Sequence, residues 1–297
     1  MTNENPGHGA VWDLRGDPYD HVVDEDEAGP SIQRSFEDFL ATHDLAEVRE
    51  IVVGWWGPGW EGNTSELPVR LLSGVADRLP NVRSIMLGDI ESEESEISWI
   101  EHGDVTPLLE AFPLLEALHI RGGSGLLLRP VRHEALRTLW FETGGLPGRV
   151  VRAVADSDLP ALENLEMWLG VSQYGGDATV ADLAPILSGE RLPALRHLGL
   201  QDSEIQDEIA AAVASAPVVA RLESLALSMG TLTDEGAEAL LSGQPLTHLK
   251  RLDLHHHYLT GTMVKHIEAA FAGTGVEVDL SEQEEPDDDW RYVAVAE

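Results

Sequence analysis

The stretch LTHLKRLDLHHHYLT, residues 246–260, decides how the rest of the chain is read. Leu249, Leu252 and Leu254 stand in the order LxxLxL, and Leu259 closes the turn that follows. Side chains alternate along a strand, so Leu252 and Leu254 share one face while Arg251, Asp253 and His255 share the other. The same paired apolar positions recur along the chain, at Ile51/Val53, Ile85/Leu87, Leu118/Ile120, Leu139/Phe141, Leu165/Met167, Leu198/Leu200, Leu225/Leu227 and Val278/Leu280. Successive pairs lie 34, 33, 21, 26, 33, 27, 27 and 26 residues apart. Most of these intervals leave room for a turn, a helix and a return loop between strands.

The intervening segments VRLLSGVADRL, ATVADLAPIL, SEIQDEIAAAVASA, TDEGAEALLSG and TMVKHIEAAFAG supply those helices, with apolar residues at three- and four-residue spacing. Ser203 with Gln206 fits a capping box, and Thr233 or Asp234 caps the next helix. Strand, turn, helix and return loop form the unit of the longer leucine-rich repeats. The pattern predicts an α/β leucine-rich repeat solenoid, a horseshoe with about nine parallel strands on its concave side and helices on its convex side. AVWDL at 10–14 is a candidate short first strand, and Ile32, Phe36, Phe39 and Leu40 share one helical face. A single domain over 1–297 is expected, with an N-terminal cap and acidic loop over 1–44, the repeat array over 45–280, and an acidic loop and C-terminal cap over 281–297. The acidic loop is DPYDHVVDEDEAGP; in the C-terminal cap, Trp290, Tyr292, Val293 and Val295 would hide the open end of the core.

Over the chain's 297 residues, 53 acidic side chains against 19 basic ones give a formal charge of −34. Such a surface repels phosphate backbones and anionic lipid heads, so nucleic acid and membrane are not expected partners. A cationic protein or peptide is favoured, although acidic surfaces also serve solubility alone. With no cysteine, disulfides, thiolate metal sites and a cysteine nucleophile are excluded. MTNENPGHGAVWDL lacks the basic and apolar regions of a signal peptide, no stretch has the length of a membrane span, and a cytoplasmic location is expected. GGSGLLL at 122–128 lacks the Lys-Ser/Thr of a phosphate loop, and no cofactor is expected.

LTDEGAEALLSGQPLTHLKRLDL resembles the ribonuclease-inhibitor-like class of leucine-rich repeats, over roughly residues 45–280. EISWIEHGDVTPLLEAFP, VRHEALRTL, YGGDATVADLAPIL, SEIQDEIAAAVASAPVVARLE and LDLHHHYL are similar to a bacterial family of cytoplasmic leucine-rich repeat proteins, along nearly the whole chain. That resemblance implies an accessory role beside radical-SAM-type and ATP-grasp-type enzymes in a modification or biosynthetic system. One departure stands out. Where many such repeats place a turn asparagine, this chain has Gly123, Gly144, Gly170, Ser203, Gly230 and His257, so irregular turns are expected, with glycine permitting positive φ or close backbone packing.

The register nominates a surface. Side chains that alternate with the buried pairs gather His119, Arg121, Trp140, Glu142, Glu166, Trp168, His197 and Gln201 on the middle strands, an aromatic anchor with a polar rim suited to binding. The competing reading pairs Arg121 with Glu142 and lets the tryptophans cover apolar sheet. Loops after the early strands add Trp55, Trp56, Trp60, Trp99 and Tyr174, either as a second binding region or as a packed cover. Asp253, His255 and His256 are weak metal candidates, and Asp279, one strand from Asp253, could join His255 in a weak cation site; consecutive histidines leaving a strand diverge, and His257 should turn inward. The leading expectation is a protein- or peptide-binding scaffold; the alternative is an enzyme or enzyme subunit using His119, Glu142, Glu166 and His197.

Overall fold

In the computed structural model, which describes residues 10–17 and 31–297, the strands form one open, all-parallel sheet in chain order. They are β1 (Ala10–Leu14), β2 (Val48–Val53), β3 (Ser84–Leu87), β4 (Ala117–Arg121), β5 (Thr138–Glu142), β6 (Asn164–Gly170), β7 (His197–Ser203), β8 (Ser224–Ala226), β9 (Arg251–Asp253) and β10 (Glu277–Asp279). The register is the one the repeat dictates. Ile51, Ile85, Leu118, Leu139, Leu165, Leu198, Leu225, Leu252 and Val278 lie side by side across β2 to β10. AVWDL adds a strand at the N-terminal edge, with Trp12 beside Ile51 and Leu14 beside Val53. The acidic stretch over 18–30 and the first residues of the chain lie outside the described residues.

Parallel neighbours require a crossover, and most crossovers carry a helix. These are α1 (Ser31–Thr42), α2 (Glu66–Ser73), α3 (Thr106–Ala111), α4 (Gly148–Asp156), α5 (Val180–Ser188), α6 (Gln206–Val213), α7 (Asp234–Leu241) and α8 (Gly261–Phe271). Burial along β4 and β5 alternates strictly, with Leu118, Ile120, Leu139 and Phe141 sealed and the residues between them partly open. The helices close the sealed side with matching stripes such as Val150, Val151 and Val154 of α4. Each fully buried aliphatic side chain contributes about 1.5–3 kcal/mol, so this continuous layer holds the array together.

The shortest interval, between β4 and β5, has no helix. Its chain runs extended instead, bridging Glu101 to Ser124, Asp104 to Leu127 and Arg132 to Asp158. Buried His133 supports the far end, with Nε2 against the Phe112 carbonyl at 3.0 Å and Nδ1 accepting from the Leu136 amide at 3.0 Å.

Local expectations meet different outcomes. Thr233 caps α7, accepting from the Glu235 amide. The Ser203–Gln206 capping box does not form, because Gln206 is fully buried and its amide turns back to the Leu200 carbonyl at 2.9 Å. Thr179 and Asp182 make reciprocal contacts at the start of α5 instead. Of the turn glycines, Gly170 has φ +67°, and a Cβ there would overlap the Gly144 backbone, so both positive φ and close packing operate. His257 takes over the turn role of asparagine. It is fully buried, with Nδ1 accepting from the Leu259 amide at 3.2 Å and Nε2 facing the Leu280 carbonyl at 3.1 Å.

The last segment differs from the cap expected of it. Trp290 and Tyr292 remain exposed, while Val293 is buried. The chain turns back across the C-terminal ends of the strands as a strap. Tyr292 exchanges hydrogen bonds with the Tyr258 hydroxyl, and the Ala294 amide donates to the Met229 carbonyl at 2.8 Å. The Val295 amide donates to Asp202 Oδ1 at 2.9 Å, and the Ser98 hydroxyl donates to the Ala296 carbonyl.

Candidate binding site on the open sheet face

Strands β4 to β7 bring His119, Arg121, Trp140, Glu142, Glu166, Trp168 and His197 together on the open face, each partly accessible. His119 and Trp140 are direct cross-strand partners and stack, with centroids 4.6 Å apart and planes 11° from parallel. Two residues further along both strands, Arg121 lies 3.8 Å from the Glu142 carboxylate, while His119 Nε2 approaches the other oxygen to 3.2 Å. Arg121 also donates to the Ile90 carbonyl at 2.6 Å, which fixes it toward the loop after β3. The expected Arg121–Glu142 pairing therefore coexists with the aromatic stack.

A second cluster lies across β6, β7 and β8. Glu166 Oε1 is 2.5 Å from His197 Nε2, and His197 Nδ1 is 2.6 Å from the Ser224 hydroxyl. Gly199 makes this possible, since a Cβ at that position would overlap the Glu166 carboxylate leaning over β7. Ser224 escaped the sequence reading of the patch, although its register opposite His197 was legible. Gln201, expected at the binding surface, is buried and donates to the Ser228 hydroxyl at 2.7 Å. It props the sheet rather than facing a partner.

Among the described residues, three buried polar atoms on this face have no hydrogen-bond partner: His119 Nε2, Trp140 Nε1 and Glu166 Oε2. His119 Nε2 has the ion-pair distance to Glu142 without hydrogen-bond alignment. Leaving such an atom unpaired costs about 1–3 kcal/mol, and these three lie on the adjacent strands β4, β5 and β6.

The loop aromatics separate into two groups. Trp55 and Trp56 are buried in the core, their apolar rings drawn inward, which corrects their assignment to a binding loop. Trp56 meets buried His102 edge-on at 5.4 Å, and burial lowers the His102 pKa to about 4, keeping it neutral. Trp60 and Trp99 are exposed and line a cleft of about 390 Å³ with Glu94, Glu96 and Glu101. Tyr174 bonds through its hydroxyl to Glu297 in the strap.

Of the metal candidates, His256 departs. Its φ is +52° and its Nε2 faces the Tyr292 carbonyl at 3.1 Å. The donor atoms that converge belong to Asp253, His255 and Asp279, within 4.8 Å of one another. Arg251 already lies against both carboxylates, at 3.1 Å from Asp253 and 3.4 Å from Asp279, and His255 Nδ1 is 2.7 Å from Asp253. Hydrogen bonds from Ser281 hold the Asp279 carboxyl below its usual range. The guanidinium thus supplies positive charge to the trio.

Among the described residues, no helix is long and apolar enough to cross a membrane. No protein-family model and no curated protein matches the chain. A solved structure does: a Bacteroides fragilis protein determined as a structural-genomics target is 31% identical, with a TM-score of 0.79, over 88% of this chain and 72% of that one.

Proposed function

Because this chain belongs to the same family as that Bacteroides fragilis protein, whose fold it shares, we propose that it is a leucine-rich repeat scaffold that binds a protein or peptide on its open sheet face. The observation that carries this reading is the set of stranded polar atoms on His119, Trp140 and Glu166 beside a stacked aromatic pair. A partner supplying one acceptor to the indole and donors to the carboxylate would satisfy them. Such central, desolvated contacts dominate binding energy in interfaces.

The partner's chemistry follows from charge. The chain carries −34 overall, and the Trp60–Trp99 cleft combines two exposed indoles with three glutamates, a setting that suits a lysine or arginine side chain through cation–π and ion-pair contacts. A basic segment of a partner protein is the occupant we favour. The accessory role beside radical-SAM-type or ATP-grasp-type enzymes, implied by the sequence resemblance, belongs to this same proposal. Affinity capture comparing wild type with a Trp140→Ala/Trp168→Ala double variant tests it. Selective loss of a partner supports the patch, and unchanged recovery of every partner removes it.

The Ser224–His197–Glu166 relay favours a second reading, in which the protein is an enzyme or enzyme subunit. There the Ser224 oxygen would attack an acyl carbon as its proton passes to His197 Nδ1, and the imidazolium, its Nε2 proton held by Glu166, would give that proton to the leaving group as the bond from the acyl carbon to that group breaks. Labelling with a fluorophosphonate, compared with Ser224→Ala, decides this reading. Absence of Ser224-dependent labelling would set it aside.

A further inference from the structure

We infer that the channel along the strand ends, filled here by Tyr292–Glu297, is a peptide-binding groove that the chain occupies in cis and that accepts an extended peptide of small and β-branched residues in trans. This inference rests on the strap alone and stands whether or not the Trp140 patch binds a partner.

The contacts are those of peptide recognition rather than core packing. The strap is addressed mainly through its backbone: Tyr258 bonds both the amide and the carbonyl of Tyr292, Met229 takes the Ala294 amide, Asp202 takes the Val295 amide and Ser98 meets the Ala296 carbonyl. Only Val293 among the strap side chains is buried. Backbone bonds of this kind provide affinity with little sequence demand, while the buried position and the tight passages provide selection. Gly144 forms one such passage, because a Cβ there would overlap the Ala296 carbonyl.

Asp202 provides the second, independent observation. It is fully buried at the end of β7 and adopts φ +54°, an uncommon backbone conformation for a residue other than glycine. One carboxyl oxygen receives the strap amide, and the other has no hydrogen-bond partner among the described residues. A buried acceptor held in this conformation and aimed at a passing backbone is a feature of a recognition groove. Residues 281–284 are bonded to the turn after β9, and residues 285–289, which link them to the strap, are exposed. A short tether of that kind keeps its segment at an effective concentration in the millimolar range, so a free peptide of moderate affinity is excluded until the strap leaves.

The test uses a fluorescein-labelled peptide of sequence WRYVAVAE and fluorescence anisotropy. Three chains are compared: the full chain, a chain ending at Asp289, and the full chain carrying Val293→Asp and Val295→Pro, which loses the buried anchor and the amide that Asp202 accepts. Circular dichroism establishes that each is folded. The peptide should bind saturably to the shortened chain and to the double variant, and at least about tenfold more weakly to the full chain. Adding Gly144→Ala to the shortened chain should abolish binding. The inference is overturned if a folded chain freed of its strap does not bind the peptide, if the full chain binds it equally well, or if Gly144→Ala has no effect.

Discussion

Replacing Asp202 by Asn should stabilise the protein, and by an amount set by pH. The carboxyl is fully buried and accepts one strap amide, and burial raises its pKa from 3.8 to about 8 despite that bond. With a folded pKa above the unfolded one, its contribution is fully present below about pH 4 and is lost as pH rises through about 8. A tenfold change in the protonation equilibrium corresponds to about 1.4 kcal/mol, which gives a ceiling of roughly 6 kcal/mol for the penalty at high pH. The strap keeps the carboxyl covered through two bonds at Tyr258 and one each at Met229, Asp202, Ser98 and Tyr174, each worth about 1 kcal/mol net, so it yields only near that same ceiling. Asparagine has the same shape, tolerates the left-handed backbone and keeps an acceptor for the Val295 amide, without the charge. Its advantage over Asp202 should therefore be near zero at pH 4, rise by about 1.4 kcal/mol for each further step of one in pH, and level off toward the ceiling of roughly 6 kcal/mol by pH 8.5. Urea unfolding of both proteins across that range measures the difference, and other titrating groups cancel between them. A difference that does not vary with pH, or an Asn variant less stable at pH 8.5, would refute the reasoning.

Phe141 is among the largest fully buried side chains, so Phe141→Ala should lower stability by about 3–5 kcal/mol and shift the denaturation midpoint with an unchanged slope. His102, neutral through burial with a pKa near 4, contributes stability above its unfolded pKa of 6.5 that is lost as pH falls toward 4. Wild type should lose up to roughly 3 kcal/mol over that window, and His102→Gln measurably less, as read by urea unfolding at each pH. Arg251→Ala removes the guanidinium from Asp253 and Asp279, so added Zn²⁺ should raise the melting temperature of this variant more than that of wild type. Equal shifts would mean that the trio does not gather around a cation.

The strand register was legible because it rests on a local rule: alternation fixes which residues of each repeat are buried, and the repeat fixes which positions become neighbours. Leu252 and Leu254 specified their places without reference to anything distant. The same logic put His119 beside Trp140 and His197 near Glu166. It stopped short where a side chain chooses among directions. Ser224 stood in the right column, but its bond to His197 depends on rotamers that spacing does not encode. Trp55 and Trp56 looked like loop aromatics because the GWWGPGW run has no period to tell an inward ring from an outward one. The strap was hidden for a different reason. Its bonds are largely to backbone atoms of turns far away in sequence, and the signals it left, small residues in VAVA and a glycine at 144, are common elsewhere.

The strap also changes how this array should come apart. In a stack of repeats each unit touches only its neighbours, so unfolding can begin by fraying at either end and proceed unit by unit. Here the bond from Ser98 to Ala296 joins residues 198 apart, and the bond from Val295 to Asp202 joins residues 93 apart. These links close a loop around the middle repeats. Its closure entropy must be met late in folding, after the intervening units have set the distance between its ends. Once closed, it makes the loss of the last repeats felt as far back as the loop after β3, giving a linear assembly the all-or-none character of a globular one.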